Sequence, residues 1–263
     1  MSIKAPKIFV NSLGQRFRLI PKGSFTMGNP DYEEIRRIGP PHAVTLSRRF
    51  WLGETTVTRS QWKRVMDTEP WLTDCCIASD SPDQPATMIT WSDASKYCRR
   101  LSRMRGRKYF LPTEAQWEYA CRAGMTSLYS FDFDVDNDWS ASALGEYAWY
   151  EANSGQEPSP VGKKKANPWG LYDMHGNVQE WCCDKWGYDY PSASVDPIGT
   201  NDGYRYVIRG GSWVSPSVQC EAAERYGAFG GMGQPHIGFR VGIEPWKHAL
   251  PQRRLLSRNA AAD

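Results

Sequence analysis

Twelve tryptophans are scattered along a chain that also carries twenty-three glycines, and this pairing constrains the fold more than any other feature. Large aromatic side chains fill space between irregular segments and bury wide areas, so the composition suits a fold rich in ordered loops. The 263 residues contain no linker-like break, no charge block, no low-complexity run and no fixed-period repeat. One domain spanning 1–245, with a basic tail at 246–263, is therefore expected, and it is long enough to bury a real core.

The net charge of +3 is too small to argue for a nucleic-acid partner, and the basic run 252–258 reads as a solvated terminus. No apolar run follows the first basic residues, and no stretch approaches the roughly eighteen apolar residues of a membrane span. Seven cysteines is an odd count. Two pairs, Cys75-Cys76 and Cys182-Cys183, are vicinal, and no extracellular framework spacing appears. A cytoplasmic protein with neither a membrane nor a nucleic-acid partner is the expectation.

Three helices announce themselves by their caps. Thr58-Arg-Ser-Gln61 is a capping box that should open a helix burying Trp62, Val65 and Met66. From about Ser92, the residues Ala94, Tyr97, Cys98, Leu101 and Met104 recur at helical spacing, and Gly106 should end that helix. Thr113-Glu-Ala-Gln116 is a second capping box, for a helix turning Trp117, Ala120 and Cys121 inward and stopping at Gly124. Residues 16–21, 43–46 and 206–209 read as short strands. Beyond Asp184, glycine and proline punctuate the chain so often that long ordered loops are expected.

Few familiar chemical constellations are present. The chain has no Gly-rich phosphate loop, no His-Glu-x-x-His and no paired CxxC spacing. Its four histidines, His42, His175, His236 and His248, have no helical i, i+4 spacing behind them. The acidic run 132–138 lacks the glycine and terminal glutamate of an EF-hand loop. Asn177-Val-Gln-Glu180 is the best metal candidate. An amide oxygen, a carboxylate and loop carbonyls, that of Val178 among them, are the hard donors Ca²⁺ prefers.

Three C-terminal runs carry a family resemblance: Gly170-Leu-Tyr-Asp-Met-His-Gly-Asn-Val-Gln-Glu-Trp181, Arg209-Gly-Gly-Ser-Trp213 and Ile237-Gly-Phe-Arg-Val241. Earlier segments, among them Gly23-Ser-Phe-Thr-Met-Gly28 and Leu111-Pro-Thr-Glu-Ala-Gln-Trp-Glu-Tyr-Ala120, follow in matching order. Together they resemble the formylglycine-generating enzyme, or sulfatase-modifying factor, family. That resemblance implies an α+β, single-domain C-type-lectin-like fold rich in irregular structure, and a structural Ca²⁺ at Asn177, Val178 and Glu180.

Active members of that family oxidise a substrate cysteine with O₂ and copper held by two thiolates, two and seven residues after the Gly-Gly-Ser-aromatic element. Counted from Trp213, those positions hold Ser215 and Cys220. Counted backwards from Gly238-Phe-Arg240, Arg225 matches a family arginine, and Cys220 is no ligand position. On either count the pair is broken, so neither copper nor formylglycine synthesis is expected, since soft thiolates select Cu(I) and a hydroxyl is a poor substitute. Cys220 and Ser215 remain the weak catalytic candidates.

Residues 214–236 then stand out as a recognition loop on a rigid scaffold, mixing small residues with aromatics. The stretch also resembles the variable segment of lectin-fold proteins made by diversity-generating retroelements. Val214, Ser215, Ser217, Tyr226, Phe229, Gln234 and His236 are the expected ligand contacts, toward a protein or peptide, with Tyr226 and Phe229 as anchors. The competing readings are a metal-dependent oxidoreductase or oxygenase of altered chemistry, with Trp181, Ser215, Cys220, Arg225 and His236 as its groups, and a regulatory protein recognising a peptide in the same groove.

Overall fold

A computed structural model describes residues 7–29, 40–73, 81–131, 142–187, 194–200 and 202–245. The acidic run 132–138, Cys75-Cys76, His248 and the basic tail lie outside them. Three helices stand where their caps place them. Helix α1 (Arg59–Met66) is closed by the Thr58–Gln61 capping box and buries Trp62, Val65 and Met66. Helix α2 (Trp91–Arg105) starts at Thr90 and ends at Gly106, whose φ of 62° is the left-handed conformation glycine tolerates. Helix α3 (Glu114–Arg122) is capped by the Thr113–Gln116 box. It ends one residue earlier than expected, with Ala123 itself left-handed. A short fourth helix, α4, spans Ser142–Tyr147.

The strands are short and form three sheets. Strands β1 (Ile8–Val10), β2 (Arg16–Ile20), β5 (Phe50–Gly53), β11 (Gly242–Ile243) and β6 (Tyr109–Phe110) assemble in that order, all antiparallel. Strands β3 (Gly23–Met27) and β4 (His42–Leu46) make a separate hairpin. The third sheet runs β10 (Ile237–Gly238), β7 (Gln179–Lys185), β8 (Arg205–Arg209), β9 (Arg225–Phe229), with the β10–β7 pair parallel. The first sheet unites the beginning and end of the described chain, which makes the whole an α+β unit.

Strand β9 corrects the sequence reading, which expected residues 214–236 to be loop throughout. Its two aromatics and small residues pair with β8 over five positions, from Arg205↔Phe229 to Arg209↔Arg225. The glycine signal was real but local, because a glycine in an edge strand needs no turn when a neighbouring ring fills its place. At Gly227 that ring is Trp186.

Tryptophan fills the core as its abundance suggested, with Trp62, Trp117 and Trp181 all fully buried. Trp62 stacks on Tyr97 of α2 at 5.6 Å between ring centroids. Charges are buried beside them. Glu180 and Arg240 are fully enclosed and meet in a bidentate pair, Nε to Oε2 at 2.6 Å and Nη2 to Oε1 at 2.5 Å. The remaining guanidinium N–H groups donate to the Gly53, Glu54 and Tyr172 carbonyls, and Trp117 Nε1 donates to Glu180 Oε2 at 2.8 Å. Helix α3 turns charge inward too. Glu114 holds Arg225 through two contacts, and Glu118 binds Arg122, Arg209 and the Gly28 N–H. Burial pushes the Glu118 carboxyl up, but Arg122 and Arg209 more than offset this and hold it below its ordinary value. Met104, expected on the inner face of α2, is instead half exposed at 50%.

Removing one partner from an enclosed pair strands the other charge, at a cost of about 3–5 kcal/mol. Glu180→Ala should therefore lower the urea midpoint, read by tryptophan fluorescence, by that equivalent. The Glu180→Leu, Arg240→Met double variant should lose clearly less. A single variant within about 1 kcal/mol of the parent would show the pair to be dispensable.

Candidate functional site

A cleft of about 380 Å³ opens beside the edge of the third sheet. Strands β8 and β9 supply one wall through Arg205, Ile208, Tyr226 and Phe229. The turn after Trp213 supplies the other through Val214 and Ser215, and Gln234 and His236 close the end. Six of the seven residues expected to contact a ligand are thus brought together from positions 214 to 236. Ser217 is the exception. It lies in the 3₁₀ turn Ser217–Cys220, where its carbonyl accepts from the Tyr129 hydroxyl at 2.9 Å, outside the cleft lining. Gln179, Ser212 and Gln219 line the cleft as well and were missed, because nothing in a lone glutamine or serine marks it in sequence.

The chain reaches this geometry through the Gly-Gly-Ser-Trp element. Gly210 and Gly211 both have positive φ, at 96° and 66°. A Cβ on Gly210 would meet the Trp117 ring at 2.9 Å, and one on Gly211 would meet Cys220 Sγ at 2.5 Å. Two glycines in succession therefore let the backbone leave β8 and fold against α3. Ser212 N–H then donates to Ser215 Oγ at 3.1 Å, Ser215 N–H returns to Ser212 O at 3.0 Å, and Trp213 N–H donates to Asn177 O at 2.9 Å.

The cleft is polar and close to neutral. Three carboxamides, two hydroxyls, a phenol and an imidazole face it with the single cation Arg205. Burial holds the His236 imidazole below its ordinary value, which favours the neutral ring. Apolar groups crowd the rim, with Phe229 49% and Val214 38% exposed. The Arg205 guanidinium sits 4.9 Å from the Phe229 ring centroid. Tyr226 is half-buried and packs against the core, so Phe229 is the freer of the two expected anchors.

Of the catalytic candidates, Ser215 and His236 line this space, whereas Cys220, Arg225 and Trp181 do not. Cys220 is fully buried among Tyr129, Phe131, Leu144, Ala148 and Tyr150, and burial pushes its thiol up to about 12. It is a core residue, enclosed away from the cleft. Ser215 Oγ is occupied by Ser212. A Cu(I) site needs converging thiolates, so this donor set does not fit copper. Arg225 is spent on Glu114 and the Gly187 carbonyl, and Trp181 Nε1 donates to the Ile89 carbonyl at 2.9 Å from inside the core. His175 is likewise structural. Its Nδ1 faces the Cys220 carbonyl at 2.8 Å and its Nε2 accepts from Ser130 N–H at 3.1 Å, while burial pushes it down to about 4.

The residues expected to hold calcium are also committed. Asn177 pairs with the backbone of Ser159, accepting its N–H and donating to its carbonyl, both at 3.0 Å. Glu180 gives both oxygens to Arg240, and its Oε2 also to Trp117. Between them Val178 is fully buried in the core. The amide and carboxylate face different partners and do not converge, so the side chains do not fit a calcium cage. Among the described residues no cluster of three His, Cys, Asp or Glu side chains is placed to hold a metal ion. None of their helices is long and apolar enough to cross a membrane.

Comparison with known proteins identifies the family and agrees with the fold. The family described as "Sulfatase-modifying factor enzyme 1-like domain" matches residues 10–245. A protein named chaperone protein LppX from Paenibacillus barcinonensis is 30% identical, over 85% of this chain and 87% of its own. A formylglycine-generating enzyme of Thermomonospora curvata is 30% identical over 64% of this chain and 58% of that enzyme. Among solved structures, Treponema denticola variable protein 1 superposes with a TM-score of 0.78 at 27% identity, over 92% of this chain and all of the other. PvdO from Pseudomonas aeruginosa does so with a TM-score of 0.80 at 29% identity, over 93% of this chain and all of its own.

Two outcomes follow from this geometry. Chelation with EGTA should leave the melting temperature unchanged, since an ion held only by the native state would otherwise stabilise it by mass action. A fall reversed by added calcium would show that Asn177 and Glu180 rearrange around the metal. The second concerns Asp173, whose Oδ2 accepts from Gly162 N–H at 2.8 Å. Burial pushes this carboxyl up to about 6, against an ordinary 3.8. Its negative charge is thus a burden above about pH 6 that disappears on protonation. Asp173→Asn should melt higher than the parent at pH 8, by the equivalent of at most about 2–3 kcal/mol. The gap should close as pH falls through 6 and vanish below about 4. His175 gives both proteins an opposite acid loss, so the difference between them is the measurement.

Proposed function

Because this chain belongs to the sulfatase-modifying factor enzyme 1-like family, we propose that it uses that scaffold as a binding module. Its ligand is a protein or peptide segment seated in the cleft between β9 and the Trp213 turn. It makes no formylglycine. One observation carries this reading: the cleft gathers Val214, Ser215, Tyr226, Phe229, Gln234 and His236 without a single thiol or carboxylate among its described lining. A metal entering it would meet one imidazole, which argues against an oxidoreductase of altered chemistry. The groups that do line it suit another task. Carboxamides and hydroxyls both donate and accept, as the alternating N–H and C=O groups of a peptide require. Exposed Phe229 and Val214 supply apolar contacts at the rim. Likeness to a variable protein across nearly the whole chain supports setting ligand choice in residues 214–236.

Peptides selected from a phage-displayed random library against this protein provide the test. Their affinity should fall at least tenfold on Phe229→Ala with Gln234→Ala, at an unchanged melting curve. Retained affinity would place recognition elsewhere. A sulfatase-type peptide incubated with copper, reductant and O₂ should keep its thiol by mass spectrometry. It should do so even with Ser215→Cys, because Cys220 stays enclosed; an aldehyde would overturn the binding-only reading.

A further inference from the structure

A second and larger hollow, about 1360 Å³, shares no lining residue with the cleft. It lies where the first sheet meets α2, the start of α3 and residues 196–198. Its surface is divided by chemistry. Leu19, Phe110 and Cys183 are half-buried along the hollow, and Ile198 stands 64% exposed. Lys7, Lys22, Arg48, Arg49 and Arg99 surround them, all exposed. The two carboxylates present are both engaged. Glu244 pairs with Lys108, and Asp196 accepts from the backbone and hydroxyl of Ser47. No ion pair engages the other five cations among the described residues.

We propose that this groove binds an acidic peptide segment of a partner protein, one in which apolar and acidic residues alternate. Five cations without acidic partners leave a positive field that an anionic occupant neutralises, and the apolar strip between them excludes a purely ionic one. At about 1360 Å³ the hollow has room for an extended segment of chain. An extended strand sends successive side chains to opposite faces. It can therefore lay its apolar residues on Leu19, Phe110 and Ile198 while its carboxylates reach the surrounding lysines and arginines. Single-stranded nucleic acid fits less well, because stacking needs exposed aromatic platforms and Phe110 is half-buried. A bilayer surface cannot enter a concavity.

The probe is a fluorescein-labelled decapeptide of alternating Leu and Glu, titrated with the full chain by anisotropy at low and physiological salt. It should bind at least tenfold tighter than an alternating Leu–Lys decapeptide or oligoglutamate, and more weakly as salt rises. Arg48→Glu with Arg49→Glu, and separately Ile198→Asp, should each weaken it at least tenfold at an unchanged melting curve. Phe229→Ala with Gln234→Ala should leave it unaffected, which separates this groove from the cleft. Equal binding of either control peptide, indifference to the groove substitutions, or preference for phosphatidylglycerol vesicles or oligouridine would each overturn the proposal.

Discussion

The Glu180–Arg240 pair is the interaction on which the rest of this molecule depends. Arg240 follows β10, Glu180 sits in β7, and the guanidinium also holds the end of β5 and the loop at Tyr172. Trp117 adds helix α3 by its indole N–H. Five separate segments thus converge on two fully enclosed charges, whose desolvation is tolerated only because nearly every donor and acceptor is matched. A loop-rich chain has few long ladders to define its shape. A satisfied buried charge network does that instead, since a shifted segment would leave an ion unpaired in the core.

Other buried charge pairs brace the strands that wall the cleft. Glu114 and Glu118 fasten Arg225 and Arg209, which hold the start of β9 and the end of β8. The cleft wall therefore begins on a fixed frame, and Phe229 stands at the free end of an edge strand. On the other side the paired glycines draw the chain so close to Cys220 that its thiol is sealed among aromatics.

Two surfaces of contrasting character result. The cleft is neutral, polar and small. The groove on the first sheet is wide, apolar along its middle and cationic around it. They share no lining residue, although β7 lends Gln179 to the cleft and Cys183 to the groove.

Much of the fold was legible because its signals are local. Thr58, Thr90 and Thr113 cap their helices with their own side chains, and the runs that form β2, β4 and β8 are short and contiguous. Gly-Gly-Ser-Trp and Gly-Phe-Arg marked the family and located the cleft. What stayed hidden depends on partners distant in sequence. The inward turn of Glu114, Glu118, Glu180 and Arg240 contradicts the usual outward placement of charge, and, Arg122 beside Glu118 apart, the partners that compensate it lie sixty or more residues away. The partners of the Asn177 and Glu180 side chains, Ser159 for one and Arg240 with Trp117 for the other, were likewise hidden, because a lone amide and carboxylate reveal nothing of their neighbours. Gln179, Ser212 and Gln219 entered the cleft unannounced for the same reason. The chain by itself determined which segments are helix, which family they build and where binding is sought. Only the tertiary structure decided which charges neutralise each other and which groups face the cleft, because those pairings are made across the fold.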